Sequence, residues 1–400
     1  MQSHTRSTLI SIAFLILAAA SNSAAQTFTT LHNFNGADGD FPVSPVLQAP
    51  DGTLYGTTRG GGDGYGTVFA LSPSGSLTTL HSFHISDGAD PSTGLTLGPD
   101  GSFYGATAEG ASGHFCDSPY IVCGTIFKVT PGGVLTTLHR FHRTDGDSVA
   151  SNLVLGRDGN FYGTTPGGGA NYSCDGGTSC GTVFTMTPDG TITTLHNFNN
   201  RDGAHPAAGL ILASDGNFYG TTNLGGAYDN GVVYEITSAG QFKLLHSFLL
   251  EEGATLIAGV VQGRDGNLYG AAENGGTGNC TSAGCGTIYR ITPSGDVTVL
   301  HAFEYTDGGL PQNLAVGVDG NFYGTTLDGG ANTDCFAYYV CGTVFEITPS
   351  GVLTTLHNFD NATGFTAFAQ LVQAKNGALY GSTAQGGLYY GGTLFRQELP

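Results

Sequence analysis

Short runs of apolar and β-branched residues, broken by glycine and polar turn residues, recur along the chain from residue 27 to its end. One unit contains four such runs: Ala208–Ala213, Asn217–Thr222, Gly231–Thr237 and Gln241–Phe248. Runs of this length, bounded by Gly, Pro, Asn and Asp, are typical of β-strands. Asp-Gly separates the first two runs, and Pro-Ser-Gly or a variant separates the last two, so both pairs are predicted hairpins. The pattern therefore predicts an all-β protein.

The unit occurs seven times, and each copy carries a Tyr-Gly motif and a Leu-His-x-Phe motif. The tyrosines are Tyr55, Tyr104, Tyr162, Tyr219, Tyr269, Tyr323 and Tyr380. The histidines are His32, His81, His139, His196, His246, His301 and His357. Each histidine precedes the next tyrosine by 23 residues, or 22 in one copy, whereas 11 to 20 residues separate the tyrosine from the glycine that opens the third run. One connection per unit is therefore free to vary in length.

The four runs of a unit are called strands A to D. In an antiparallel meander the A–B and C–D turns lie at one end, and the B–C and D–A connections lie at the other. One face then carries only tight turns, and the opposite face, called the long-loop face, carries every variable loop. Four-stranded repeats of about 40–50 residues are typical of β-propeller blades.

The two ends of the chain indicate how such a ring closes. The chain ends after a C-type strand, Gly392–Gln397, whereas an unpaired D-type strand, Thr27–Phe34, stands near its beginning. If the first strand completes the last blade, no open sheet edge is left at the seam. We therefore predict a seven-bladed β-propeller of four-stranded antiparallel blades, closed by the N-terminal strand. An open solenoid is the competing architecture, although it would more naturally have polar capping repeats.

The repeated segments Asp-Gly-Asn-Phe-Tyr-Gly-Thr-Thr, Gly-Thr-Val-Phe-x-Ile-Thr-Pro-Ser-Gly and Leu-Thr-Thr-Leu-His-Asn-Phe make the chain resemble a known family. It is similar to the GloVer tandem repeat of bacterial exported "choice-of-anchor" proteins over residues 27–397. The resemblance implies an extracellular repeat protein and transfers no activity to any residue. Members often carry a C-terminal anchoring segment, and none is found before Pro400, so we expect secretion or periplasmic residence.

The N-terminal residues predict export. Arg6 precedes an apolar run from Leu9 to Ala20, and small residues end at Ala25, which is the pattern of a cleaved secretory signal. We therefore divide the chain into a signal peptide, residues 1–25, and one propeller domain, residues 26–400. The apolar run is short for a membrane span, so we expect no membrane insertion. With 12 basic and 31 acidic residues, a nucleic-acid partner is excluded.

The eight cysteines form four close pairs in the four longest B–C loops. The pairs are Cys116/Cys123, Cys174/Cys180, Cys280/Cys285 and Cys335/Cys341. An even number of cysteines in an exported chain predicts disulfides. Metal binding is the alternative, although Cys-x-x-Cys spacing is absent and no histidine recurs beside the pairs.

An acid, or its replacement, follows each Leu-His histidine by six residues. These residues are Asp38, Asp87, Asp145, Asp202, Glu252, Asp307 and Thr363. A hydrogen bond between histidine and carboxylate would fix the D–A connection, and we predict this structural role. The same acids, with Asp40, Asp90 and Asp147, could instead ring the channel mouth and hold Ca²⁺, for which oxygen ligands are suited. No other cofactor is indicated.

Aromatic residues in the variable loops are the candidate ligand contacts, since loops on a rigid scaffold commonly carry function. They are Phe115, Tyr120, Tyr172, Tyr228, Phe336, Tyr338, Tyr339, Tyr389 and Tyr390. Their rings could stack on sugars or anchor a protein, or they could simply cover their own loops. The tyrosine of each Tyr-Gly motif is instead expected in the core.

The sequence is compatible with two functions. The first is a non-catalytic binding or scaffold module, expected to be monomeric, that contacts a carbohydrate or an envelope protein through the disulfide-tied loops. The second is a propeller hydrolase or lyase acting on a polysaccharide or lactone, although catalytic sequence motifs are absent. A non-repeating cluster of carboxylate, His or Arg at the channel mouth would favour the enzyme. The short loops of blades 7 and 1 lie side by side and predict a shallow ligand site near the closure.

Overall fold

The computed structural model describes residues 27–399 except 111–122, 150, 173, 175–176, 279, 281–282, 333–334 and 336–340. The predicted signal peptide and its cleavage site therefore lie outside the described residues. The described strands form seven separate four-stranded antiparallel sheets, which are the blades of a β-propeller. No described helix is long and apolar enough to cross a membrane.

The strands are numbered in chain order, and β1 (Phe28–Asn33) precedes the first complete blade. The A strands are β2 (Leu47–Gln48), β6 (Thr96–Leu97), β10 (Val154–Leu155), β14 (Ile211–Leu212), β18 (Val261–Gln262), β22 (Gly309–Val316) and β26 (Val372–Gln373). The B strands are β3 (Leu54–Thr58), β7 (Phe103–Thr107), β11 (Phe161–Thr165), β15 (Phe218–Thr222), β19 (Leu268–Ala272), β23 (Phe322–Asp328) and β27 (Leu379–Thr383).

Strands C and D complete the blades. The C strands are β4 (Thr67–Leu71), β8 (Thr125–Val129), β12 (Thr182–Met186), β16 (Val232–Ile236), β20 (Thr287–Ile291), β24 (Thr343–Ile347) and β28 (Thr393–Gln397). Six D strands follow them: β5 (Leu77–Ser82), β9 (Leu135–Arg140), β13 (Ile192–Asn197), β17 (Phe242–Ser247), β21 (Val297–Ala302) and β25 (Leu353–Asn358). Six of the seven A strands are only two residues long, much shorter than the sequence predicts.

The closure of the ring is confirmed. Strand β1 pairs antiparallel with β28, so blade 7 has the strand order β1-β28-β27-β26. The pairing runs from Phe28 opposite Gln397 to Asn33 opposite Thr393. The Ser382 hydroxyl also donates to the Pro42 carbonyl oxygen at 2.8 Å, which joins blade 7 to blade 1 across 340 residues of sequence.

Successive blades pack through the Tyr-Gly tyrosines, as predicted. Tyr162 is 1% exposed, and its ring stacks on Phe218 of the next blade with centroids 4.0 Å apart. Three further Tyr–Phe pairs, in which the tyrosines are Tyr55, Tyr104 and Tyr269, repeat this contact. The hydrophobic clusters correspondingly combine residues from neighbouring blades. The core is therefore a ring of interfaces between sheets.

A β-bulge in the C–D ladder repeats in every blade. In blade 3, Val183 lies opposite His196 and Phe184 opposite Thr194, so Leu195 has no partner. Such a bulge alters the direction of the side chains that follow it. It falls at the leucine of each Leu-His motif, which explains why that dipeptide recurs.

Candidate functional site

The channel on the axis of the ring is narrow and almost uncharged. All seven blades line this cavity of about 250 Å³. Its wall consists mainly of small and apolar side chains, with the amides of Asn152, Asn313 and Gln370. Each amide hydrogen-bonds to the backbone of an adjacent blade. Arg59 is the one charged residue among those that line it.

A strained backbone position forms the rim of the channel on the long-loop face. Each blade holds a non-glycine residue in the left-handed region, with φ between 53° and 61°; it lies six residues before the A strand in six blades and at the second residue of β22 in blade 6. These rim residues are Phe41, Asp90, Ser148, His205, Thr255, Leu310 and Thr366. This conformation is uncommon for non-glycine residues and typically costs about 1–2 kcal/mol. The backbone of the preceding blade supports several of them. The Gly391 carbonyl oxygen accepts a hydrogen bond from the Phe41 amide, and the Tyr65 carbonyl oxygen accepts one from the Asp90 amide.

A cleft crosses the long-loop face over blades 7, 1 and 2, and we call it the rim cleft. It consists of two cavities of about 500 and 370 Å³ that share Phe41 and Gln385. Its exposed aromatic side chains are Phe41, Tyr65, Phe368 and Tyr390, which are 38%, 40%, 37% and 61% exposed. Arg59 and Phe368 also line the axial channel, so the cleft opens into the channel mouth.

The polar residues of the rim cleft do not repeat from blade to blade. Arg59 donates from Nε to Asp90 Oδ1 at 2.7 Å and from Nη2 to Asp90 Oδ2 at 2.5 Å, a bidentate pair across blades 1 and 2. The hydrogen bond to Asp90 raises the pKa of the Arg59 guanidinium, with a further contribution from the charge of Glu109. Glu109 is exposed and lines the same cavity. The Arg59 guanidinium is thus bound to the Asp90 carboxylate, and the carboxylate of Glu109 faces the cleft.

The structure places the predicted ligand aromatics in different surroundings. Tyr390 lines the rim cleft, and Tyr389 beside it is 57% exposed without lining either cavity. Tyr172 lies under the Arg143 guanidinium, 5.5 Å from it, and Tyr228 is 57% exposed on blade 4. The remaining predicted contacts lie outside the described residues; they are Phe115, Tyr120, Phe336, Tyr338 and Tyr339.

Sequence reasoning missed most of the rim cleft, including Phe41, Arg59, Tyr65, Glu109 and Phe368. A usable signal lay in the repeat itself, because the residue after strand B varies: it is Arg59 in blade 1, Glu273 in blade 5 and alanine in blades 2 and 7. A position with such different residues is not fixed by the fold of the blade. The predicted location beside the short loops of blades 7 and 1 does contain the cleft.

Disulfides close three of the long loops. Cys174–Cys180, Cys280–Cys285 and Cys335–Cys341 are bonded, with Cα atoms 5.3–5.4 Å apart. These are three of the four predicted pairs. Cys116 lies outside the described residues, so its pairing with Cys123 stays a prediction. In two of these blades the second cysteine also stabilises a rim residue of the next blade. The carbonyl oxygens of Cys180 and Cys285 accept hydrogen bonds from the amides of His205 and Leu310.

The predicted histidine–acid bonds are present in six blades. Each histidine Nε2 lies 2.8–3.2 Å from its carboxylate, and the acid also accepts from a backbone amide three residues before it. His357 instead faces the Thr363 hydroxyl at 3.4 Å. These acids are bound to the outermost strands and do not line the channel, so the idea that they ring its mouth was wrong.

Among the described residues, no group of three or more His, Cys, Asp or Glu side chains is arranged to hold a metal ion. Three acids near the rim still have unusual surroundings. Burial raises the pKa of Asp40, of Asp147 and of Glu273. Calcium binding by this protein stays a prediction.

A family model described as the Gloeobacter/Verrucomicrobia repeat matches residues 19–117, 121–283 and 251–400. The chain belongs to this repeat family. No curated protein matches it in sequence. Family membership agrees with the seven units seen in the structure, and it assigns no activity to the rim cleft.

Solved structures place this Gloeobacter/Verrucomicrobia repeat protein among known propellers. Virginiamycin B lyase from Staphylococcus aureus is similar, with a TM-score of 0.61 and 15% identity over 94% of this chain and 100% of that one. The extracellular domain of a protein described as a hybrid two-component system from B. thetaiotaomicron gives a TM-score of 0.60 at 11% identity, covering 92% of this chain and 39% of that one. At these identities the likeness shows the fold alone.

Proposed function

We propose that this protein is an exported, non-catalytic binding protein whose rim cleft holds a polyhydroxylated, sugar-like ligand. The observation that carries the proposal is the grouping of four exposed aromatic side chains around a non-repeating polar centre at the channel mouth. The rest of the ring is built from repeated contacts. Because residues that depart from the repeat form this cleft, we take the cleft as the ligand-binding site.

The cleft has the chemistry of a sugar site. Aromatic faces such as those of Phe368 and Tyr390 can stack on the apolar face of a pyranose ring. Glu109 can accept hydrogen bonds from hydroxyl groups, and the Gln385 amide can both donate and accept. Cavities of about 500 and 370 Å³ fall in the range of small-molecule sites. The disulfide-tied loops then act mainly as supports for the rim.

Export fits the same proposal. Disulfides form and persist in oxidising compartments, and the N-terminal pattern is that of a cleaved signal. The scarcity of basic residues disfavours nucleic acid. The mature chain, residues 26–400, would then act as a secreted or periplasmic monomer on a carbohydrate or an envelope component.

The proposal is tested by screening the purified mature protein on a glycan array and measuring affinity for the best glycan by calorimetry. Tyr390→Ala and Phe368→Ala should each weaken binding by about tenfold, because each removes one stacking surface. Tyr228→Ala is the matched control, since Tyr228 is similarly exposed (57% against 61% for Tyr390) but lies on blade 4. Equal losses in all three variants, or no glycan binding by the wild type, would contradict the proposal.

A second candidate is a hydrolase or lyase acting on a polysaccharide or lactone. The observation in its favour is the Arg59–Asp90 pair with Glu109 at the channel mouth, since a non-repeating charged cluster at this place is what that function requires. Glu109 would be the base. Product formation from the bound glycan, abolished in Glu109→Gln while binding persists, would establish this function over the non-catalytic one.

A further inference from the structure

The tight-turn face carries a cavity at the seam where blades 7 and 1 meet. It measures about 430 Å³ and lies on the opposite side of the ring from the rim cleft. Blade 7 contributes Lys375, Asn376, Tyr380 and Arg396, and blade 1 contributes its A–B turn around Asp51. We call it the seam cavity.

The hydrogen bond at the A–B turn changes direction in blade 7. In blades 2 to 6, the hydroxyl of the Tyr-Gly tyrosine donates to the turn aspartate at 2.7–3.3 Å. In blade 7 the turn residue is Asn376, whose Nδ2 donates to the Tyr380 hydroxyl oxygen at 3.1 Å. The Tyr380 hydroxyl proton is therefore not used by the turn. Tyr380 is only 9% exposed, so it offers this proton from within the wall of the cavity.

The charges of the seam cavity also differ from those of the neighbouring seam. Lys375 and Arg396 line the seam cavity together with one carboxylate, that of Asp51. The Arg396 guanidinium is already paired with the Glu398 carboxylate through Nη2 and Oε1. The equivalent cavity between blades 6 and 7, about 380 Å³, is lined by three carboxylates and no cation; they are Asp319, Glu346 and Glu398.

The Asp51 carboxylate is held within its own turn. It accepts from the Thr53 amide at 3.0 Å, and that hydrogen bond lowers its pKa, so it stays ionised. The backbone of Lys375 is fixed as well, because its amide donates to Gln48 Oε1 at 3.2 Å. This contact fixes the point from which the exposed Lys375 side chain extends beside the cavity.

We propose that the seam cavity binds an anionic group, a carboxylate or sulfate, carried on a molecule of about sugar size. Lys375 supplies the attracting charge, and the Tyr380 hydroxyl donates a hydrogen bond to the anion. Replacement of the turn carboxylate by Asn376 is what permits the anion to approach, since an aspartate there would both repel it and take the tyrosine proton.

The proposal is tested by calorimetric titration of the mature protein with D-glucuronate and, separately, with sodium sulfate. D-glucose is the neutral control. We expect glucuronate to bind at the seam cavity with an affinity that falls with rising salt, and we expect any binding of glucose to be unchanged by the seam-cavity variants described below. Sulfate binding at the same site would show that the charge alone suffices, whereas binding of glucuronate only would show that the sugar ring also contributes.

Three variants examine the mechanism. Asn376→Asp restores the turn of blades 2 to 6, so it should fold normally, and it should weaken glucuronate binding by about tenfold or more. Lys375→Gln should weaken it similarly, and Tyr380→Phe by about threefold to tenfold. Arg59→Gln, which alters the rim cleft and the channel wall but not the seam cavity, should leave it unchanged.

Two results would overturn the proposal. One is the absence of binding of both anions to the wild type. The other is unchanged glucuronate affinity in a folded Asn376→Asp variant. Neither result bears on glycan binding in the rim cleft, which is measured with different ligands and variants.

Discussion

Blade 7 and the six blades before it are built on one plan, yet blade 7 breaks that plan in several places. Its outer strand comes from the other end of the chain. The connection that leads into it has Thr363 where the others have an acid, and its A–B turn has Asn376 where the others have aspartate. The rim cleft and the seam cavity both border this blade.

The comparison separates what a blade needs from what the protein uses. Edge-to-face aromatic contacts, the C–D bulge and the threonine pairs between strands B and C occur in internal blades and in the closure blade alike. Those features hold a blade together. The departures at the closure lie at turns and rims, where a change costs the core little and can create a cavity.

The largest expected effect concerns the closure strand. Phe28 stacks on His357 with centroids 3.8 Å apart and also contacts Phe359 and Phe395. We expect Phe28→Ala to lower the free energy of unfolding by roughly 2–3 kcal/mol, measured by urea denaturation, since a partly buried aromatic ring is lost from the interface.

Phe242 provides the matched internal control for Phe28. It stacks on His196 at 4.0 Å and contacts Phe198 and Tyr234 in nearly the same geometry. If the non-covalent closure is as firm as an internal blade, Phe242→Ala should cost the same. A markedly smaller loss in Phe28→Ala would show that the closure strand contributes little to folding.

The next effect is a pH dependence that originates at His357. Burial lowers the pKa of His357 to about 4, and the charge of Asp360 opposes this shift only partly. The unfolded chain takes up this proton near pH 6.5, whereas the folded chain does not until pH falls to about 4. Stability should therefore fall between these values by about 2 kcal/mol, allowing for partial solvent exposure, and should be unaffected by His357 above them.

Thr363→Asp isolates this contribution by giving His357 the carboxylate that the other six histidines have. The new charge should raise the folded-state pKa of His357 and so remove much of the loss at low pH. The measurement is the difference in unfolding free energy between variant and wild type at pH 7 and at pH 4.5. A difference that does not change with pH would contradict the assignment.

The smallest effect concerns two internal blades that differ from blade 7 in the core. Tyr234 and Tyr289 stand where blade 7 has Phe395, and the buried hydroxyls of both lack a hydrogen-bond partner among the described residues. A buried unsatisfied hydroxyl is costly, so Tyr234→Phe and Tyr289→Phe should each stabilise the protein by about 1 kcal/mol. The reverse change, Phe395→Tyr, is the control and should be destabilising in the same thermal-unfolding measurement.

The predicted location beside the short loops contains the rim cleft; of the predicted contact residues Tyr390 lines it, and five lie outside the described residues. The location of the cleft followed from the lengths of the loops, which can be counted in the sequence. Arg59 and Asp90 are 31 residues apart and belong to different blades, so their pairing depends on how successive blades are set around the axis. The A strands were predicted too long, because in six blades only two residues next to the A–B turn form a regular ladder with strand B.

The sequence by itself determined the number of blades, the order of their strands, the two faces and the partner of the first strand. These features follow from local turn chemistry and from a sequence pattern that recurs in all seven repeats. Only the tertiary structure decided which side chains meet at the rim cleft and at the seam cavity. Both sites combine residues from the two ends of the chain, and the side chains that meet there are brought together only in the closed ring.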